Sequence, residues 1–235
     1  MALIERDARL LVVAAHPDDE VLGCGGTIAR FRSAGAAVRV VCLAEGITAR
    51  FEPHQFDQPD VVAQISERAA NGRRAIARLG VLDAEIFLEE RRCCRMDALS
   101  EIDLVKGIER HARDFAPTVV LTHAAHDTNI DHRLVHTAAL AAFRPYHFRD
   151  LAALLAFEVL SSTEWNPTAP FRADFFVNVS ESIDVKIEAL SVYGDEMVAS
   201  PHPRSEEAVR SLARYRGCQA GMEWAEAFQT IRVRA

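Results

Sequence analysis

Five consecutive residues, His16-Pro17-Asp18-Asp19-Glu20, concentrate one imidazole and three carboxylates behind an aliphatic run, Leu10-Leu-Val-Val-Ala-Ala15. A second polar group, His123, His126, Asp127, Asn129, Asp131 and His132, follows another such run, Thr118-Val-Val-Leu-Thr122, with His136 one helical turn beyond His132. Two imidazoles and a carboxylate are the donor set of catalytic zinc, because they leave coordination positions open for water. A further carboxylate that stays off the cation can take a proton from that water. The competing reading of His16–Glu20 is a helix start, where acids are favoured by the dipole. A cap alone has no use for His16.

Both groups need strands to present them. Arg9–Ala15 and Ala37–Leu43 read as strands buried on both faces, since they lack polar alternation. Gly25-Gly26 is expected to open a helix between them, running to Ser33, with Gly35 in the following turn. That β-α-β spacing implies a right-handed parallel crossover. Further strands are expected at Ala84–Leu88, Thr118–His123, Leu154–Val159 and Phe175–Val179, with Phe228–Arg234 as an edge strand. Helices are expected at Val61–Leu79, Leu99–Phe115, from the second polar group to Phe143, at Ser180–Tyr193 with Ser180 as N-cap, and at Ser205–Gly217. The long stretch Ala44–Asp60 reads as a functional loop. The alternation predicts an α/β, Rossmann-like sandwich with a mostly parallel sheet flanked by helices. Both polar groups then follow strand C-termini on one sheet edge, where such folds place their sites.

Composition sets the outer bounds. A chain of 235 residues, 49% hydrophobic, supports a single core, so one domain spanning 1–235 is expected. The net charge of −7 argues against nucleic acid or an anionic membrane surface as the partner. No stretch reaches the roughly 18 apolar residues of a membrane span. The opening residues do not read as a signal peptide, so a cytoplasmic location is expected. Cys24, Cys42, Cys93, Cys94 and Cys218 contain no C-x-x-C pair and read as reduced and mostly structural.

The segment AHPDDE, with its glycine-bearing turn and helix, resembles the LmbE/PIG-L family of zinc-dependent N-deacetylases, in its bacterial sugar-modifying branch. Asp131-His132-Arg133 ahead of a helix is similar to that family's second motif. Arg68, Ala75 and Leu79-Gly80-Val81 resemble its helix before the third strand. The resemblance covers most of the chain. It implies His16, Asp19 and His132 as zinc ligands, a set that also accepts iron or cobalt. It implies Asp18 as general base and Asp131 as the carboxylate that fixes an imidazole's tautomer. It leaves a homo-oligomer open. The chain departs from many relatives at Asn129, where they carry a histidine. An amide donates hydrogen bonds but delivers no proton at neutral pH. Asp18 or another histidine must then protonate the leaving amine.

The C-terminal third adds His202, held between Pro201 and Pro203, as a candidate oxyanion stabiliser or acid. Arg204, Arg68, Asn129 and Glu164 (beside Trp165) are candidate substrate contacts, an aromatic face and a carboxylate suiting a sugar. Glu89–Arg92 reads as a solvated face, and Arg95 and Asp97 either reach the site or pair with each other. The expected activity is removal of an N-acetyl group from a small amino sugar, free or conjugated, with release of acetate. The alternatives are hydrolysis of another amide, such as a thiol-sugar conjugate, and a sugar- or nucleotide-binding module built on the GCGG turn. The latter lacks the G-x-G-x-x-G spacing.

Overall fold

A computed structural model describes residues 3–234. The ends of the expected 1–235 domain lie outside the described residues. The element order is β1 (Arg9–Ala14), α1 (Asp19–Ser33), β2 (Ala37–Ala44), α2 (Pro59–Arg78), β3 (Ile86–Arg91), α3 (Glu101–Arg113), β4 (Val119–His123) and α4 (Ile130–Ala142). Then follow β5 (Ala153–Phe157), β6 (Phe175–Asn178), α5 (Ile183–Ser191), α6 (Glu206–Ala220) and β7 (Ala225–Val233). They build one mixed sheet, ordered β3-β2-β1-β4-β5-β7-β6. The first five strands in that order pair in parallel, while β7 runs antiparallel to both β5 and β6.

The continuous apolar run of β1 has a direct cause. Leu10, Val12 and Ala14 face a core with α1, while Leu11, Val13 and Ala15 face a second core with α3 and α4. A strand covered on both faces has no solvent side to mark with polar residues. After β1 the chain passes through α1 to β2 on one side, and returns from β3 through α3 to β4 on the other. The strand order therefore reverses between β1 and β4, which opens a crevice at their C-terminal ends.

Three local expectations are corrected. Helix α1 begins at Asp19, ahead of the glycines, and Gly25-Gly26 lie at a kink marked by the non-helical backbone of Cys24. The kink frees amide groups inside the core, and Glu226 of β7 accepts them from Gly26 (2.9 Å) and Thr27 (2.7 Å). Lys186 of α5 neutralises that carboxylate at 2.7 Å. Strand β7 is interior, and β6 takes the edge, because alternation marks an antiparallel strand without saying how many partners it has. Helix α5 starts after Ser182, and the Ser182 hydroxyl donates to the Gly26 carbonyl at 2.8 Å.

Two side-chain expectations also change. Glu89–Arg91 belong to β3, where Glu89 accepts from Arg110 (2.7 Å) and pairs with His111 (2.8 Å), so this run is no simple solvated face. Arg95 lies over the Phe56 ring at 5.1 Å and forms no ion pair with Asp97. Among the described residues no helix is long and apolar enough to cross a membrane.

Gly23 has a packing reason to be glycine: an added Cβ would lie 2.3 Å from the Phe157 ring of β5. Gly23→Ala is expected to lower stability by about 1–3 kcal/mol through overpacking. Urea unfolding measures this, and an unchanged midpoint would show that the helix can slide away from β5.

Candidate active site

The crevice between β1 and β4 holds a buried group of imidazoles and carboxylates. His16 follows β1 directly, and Asp19 opens α1 three residues later. His132 comes from the first turn of α4, after β4. The three present donor atoms within 4.8 Å of one another. Asp19 Oδ2 is central: it accepts from the His16 backbone N–H at 2.9 Å and lies 3.2 Å from both His16 Nδ1 and His132 Nε2.

Each imidazole is oriented from behind by a second carboxylate. Asp131 Oδ2 accepts from His16 Nε2 at 3.0 Å. Asp127 Oδ2 sits 3.1 Å from His132 Nδ1. In the neutral imidazoles these contacts keep one proton on His16 Nε2, donated to Asp131, and one on His132 Nδ1, donated to Asp127, which turns His16 Nδ1 and His132 Nε2 towards Asp19. Asp131 is itself fixed by the backbone N–H groups of Cys94 (2.5 Å) and Met96 (3.2 Å). Asp127 is fixed by the hydroxyls of Ser162 (2.9 Å) and Thr163 (2.5 Å), in the loop after β5. Below them His123 stacks on His132 with centroids 3.9 Å apart, its Nε2 accepting from the Ala15 N–H at 2.8 Å.

This set fits a cation. His132 Nε2 is buried with no hydrogen-bond partner, although Asp19 Oδ2 is near; the approach is too poorly aligned for a hydrogen bond. A buried ring nitrogen left without a partner is one that a metal ion would satisfy. Two nitrogens and one carboxylate suit zinc and admit iron or cobalt. Without a cation, protons collect here. Burial opposes charge on His132, but Asp19 and Asp127 outweigh it and raise its pKa to about 9. Burial likewise opposes charge on His16, and Asp131 with Asp19 overcomes it. His123, with burial dominant, is pushed well down and stays neutral.

Asp18 lies at the rim with a left-handed backbone (φ 132°). Its Oδ2 meets Arg204 Nη1 at 2.8 Å and Arg68 Nη1 at 3.4 Å. Glu196 holds both guanidiniums, binding Arg68 and accepting from Arg204 at 2.9 Å. Asp18 Oδ1 makes no hydrogen bond among the described residues. Beneath this rim Glu20, raised to about 7 chiefly by burial, accepts from the Tyr193 hydroxyl and the Asp18 N–H.

The remaining expected residues are distributed as follows. Asn129 is the N-cap of α4, its Oδ1 accepting from the Asp131 N–H at 2.9 Å, with Nδ2 3.8 Å from Cys94 Sγ. His202 Nδ1 accepts from the Arg204 N–H at 3.1 Å, and among the described residues no hydrogen bond or ion pair links the His202 ring to His16, Asp19 or His132. Both Glu164 oxygens accept backbone N–H groups, of Ser161 (2.6 Å) and Ser162 (3.2 Å), so this carboxylate shapes the loop. His136 turns away, its Nδ1 on the His123 carbonyl at 2.8 Å. Glu196 and the partnership of Asp127 with His132 were not assigned from sequence. The serine and threonine after β5 offered no spacing signal for the latter.

A buried His/Asp/His group that could hold a metal ion stands at the switch point of a doubly wound α/β sheet. The family described as PIG-L, GlcNAc-PI de-N-acetylase, matches residues 11–143, and the chain belongs to it. The chain is 30% identical to the 1D-myo-inositol 2-acetamido-2-deoxy-alpha-D-glucopyranoside deacetylase of Mycobacterium sp. (strain JLS), over 84% of this chain and 77% of that one. Its fold is shared with the N,N'-diacetylchitobiose deacetylase of Pyrococcus horikoshii (TM-score 0.76, 19% identity, 97% and 86% of the two chains). It is shared also with GalB, a 4-carboxy-2-hydroxymuconate hydratase of Pseudomonas putida KT2440 (TM-score 0.70, 23% identity, 97% and 98%). The architecture alone therefore does not select a reaction.

Asp127→Ala is expected to weaken metal binding about 10–100-fold by freeing the His132 ring. Because the metal-free His132 holds its proton up to about 9, a cation must displace it. Metal affinity should accordingly rise as pH is raised through neutrality towards that value. Calorimetric titration with zinc, in buffers of different ionisation enthalpy, measures both the affinity and the released protons.

Proposed function

We propose that the chain hydrolyses the N-acetyl amide of an amino sugar or amino-sugar conjugate and releases acetate. The observation that carries this reading is the buried His16–Asp19–His132 group, with His132 Nε2 unpartnered, beside a rim carboxylate that stands outside it. The relatives support the substrate class, since the Mycobacterium protein is named for deacetylating a 2-acetamido sugar.

His16, Asp19 and His132 would hold the cation, which supplies Lewis acidity for water and for the amide carbonyl. The chain's own residues supply positioning and proton transfer. Asp131 and Asp127 hold the two imidazoles in the tautomers that leave His16 Nδ1 and His132 Nε2 without protons. Asp18 takes the proton of the attacking water at Oδ1, since Oδ2 is engaged by Arg204 and Arg68. The same carboxyl then returns the proton to the departing amine, because Asn129 cannot. Asn129 Nδ2, with Oδ1 committed to its helix, donates a hydrogen bond to the substrate. His202 stands on the Arg204 loop, where Nε2 is the nitrogen that can meet a tetrahedral oxyanion. Beside Arg68 and Glu196 a cavity of about 270 Å³, lined by Arg50, Arg74 and Asn71 among others, offers polar partners to a hydroxyl-rich substituent.

Asp18→Asn tests the assignment. It should retain the bound cation and lose acetate release from N-acetylglucosamine conjugates by about 10²–10⁴-fold, the range of a general base. Near-native turnover would transfer the proton to another group.

A further inference from the structure

The loop after β3 carries two adjacent cysteines to the back of the site. Cys93 is buried, and Cys94 is partly accessible. Cys93 N–H donates to Glu45 Oε1 at 2.9 Å, which ties this loop to the one after β2. Their sulfurs stand 3.9 Å apart. Together with His16 and Asp131 they offer four donor atoms within 4.8 Å of one another. The nitrogen facing this second group is His16 Nε2, the one hydrogen-bonded to Asp131 Oδ2 at 3.0 Å.

The sulfur separation matches a specific geometry. Two thiolates about 2.3 Å from one tetrahedral ion lie roughly 3.8 Å apart. Four donors that include two sulfurs and a nitrogen select a thiophilic cation over a hard one. Of the residues in the proposed hydrolysis, Asn129 approaches a thiol, its Nδ2 lying 3.8 Å from Cys94 Sγ, and neither that contact nor a packing role requires two sulfurs facing an imidazole and a carboxylate.

We propose that Cys93 Sγ, Cys94 Sγ, His16 Nε2 and Asp131 Oδ2 form a second, thiolate-rich site for a soft divalent cation such as cadmium or excess zinc, sharing His16 with the first site. Filling it releases the thiol protons and the His16 Nε2 proton to solvent, and His16 becomes a bridge between two cations. Asp131 then faces the second cation and no longer accepts from His16. The second ion then orients His16 in place of Asp131, and it acts as an inhibitor. Loss of such an orienting partner costs about 10–100-fold in activity. Only this inhibitory consequence rests on the proposed hydrolysis; the binding does not.

Titration of metal-free protein with cadmium tests the site. Two equivalents are expected, one of them raising a sulfur-to-cadmium charge-transfer band in the near ultraviolet. The double variant Cys93→Ser/Cys94→Ser should lose that band and one equivalent. His132→Ala should lose the other equivalent and keep the band, which separates this site from the first. If the wild type shows no band, or the band survives in the double variant, the site does not exist. A measurement on unaltered protein guards against misfolding of the variants. Cadmium should protect the Cys93-Cys94 peptide from iodoacetamide, read by mass spectrometry, and equal alkylation with and without the ion overturns the proposal.

Discussion

The structure depends on one constraint: a carboxylate, Asp19, is buried in the crevice at the ends of β1 and β4 and must have its charge met there. An unpaired buried carboxylate is costly enough to shift its proton equilibrium or its position. The fold meets the charge with a backbone amide and two imidazoles, and each imidazole then needs a carboxylate of its own. Those carboxylates in turn take amides and hydroxyls from the loops after β3 and β5. The polar network thus extends outward until it reaches backbone, and every layer constrains the one inside it. Such networks define a geometry when complete and are disruptive when one partner is missing.

The rim follows a different logic. Asp18 shares its carboxylate with Arg204 and Arg68, and Glu196 shares itself with the same two guanidiniums. Two acids and two bases alternate, so neither arginine is free to neutralise Asp18 completely. The arrangement fixes Asp18 through Oδ2 and leaves Oδ1 without a hydrogen-bond partner among the described residues. It also joins α2 to the segment before α6, which are remote in sequence.

The architecture and half of the candidate site were legible because they rest on local patterns. Buried strands print continuous apolar runs, and His16, Asp18 and Asp19 sit where the first run stops. Asn129 and Asp131 are legible as a helix start, and Ser205 caps α6 as its type suggests. What was not legible depends on strand order. Cys94 reaches Asp131 because the loop leaving β3 crosses above β2 and β1, and no spacing between residues 94 and 131 encodes that. The cysteines accordingly read as structural. The glycines of α1 read as a turn because a kink inside a buried helix and a loop share the same residue types; Glu226, two hundred residues on, decides between them. Antiparallel alternation identified β7 but not its neighbours.

The internal cap on α1 has a consequence for biosynthesis. A ribosome releases this chain from the amino end, so β1 and α1 are available long before β7 exists. Until residue 226 emerges, the amides of Gly26 and Thr27 lack the carboxylate that satisfies them, and Lys186 lacks its counter-charge. The kink in the helix that carries Asp19 is therefore satisfied by a strand that lies between β5 and β6. A nascent chain can assemble the parallel half of the sheet early and still lack a set cation site. Strand β7, which contributes none of the proposed cation ligands, thus sets the path of the helix that carries one of them.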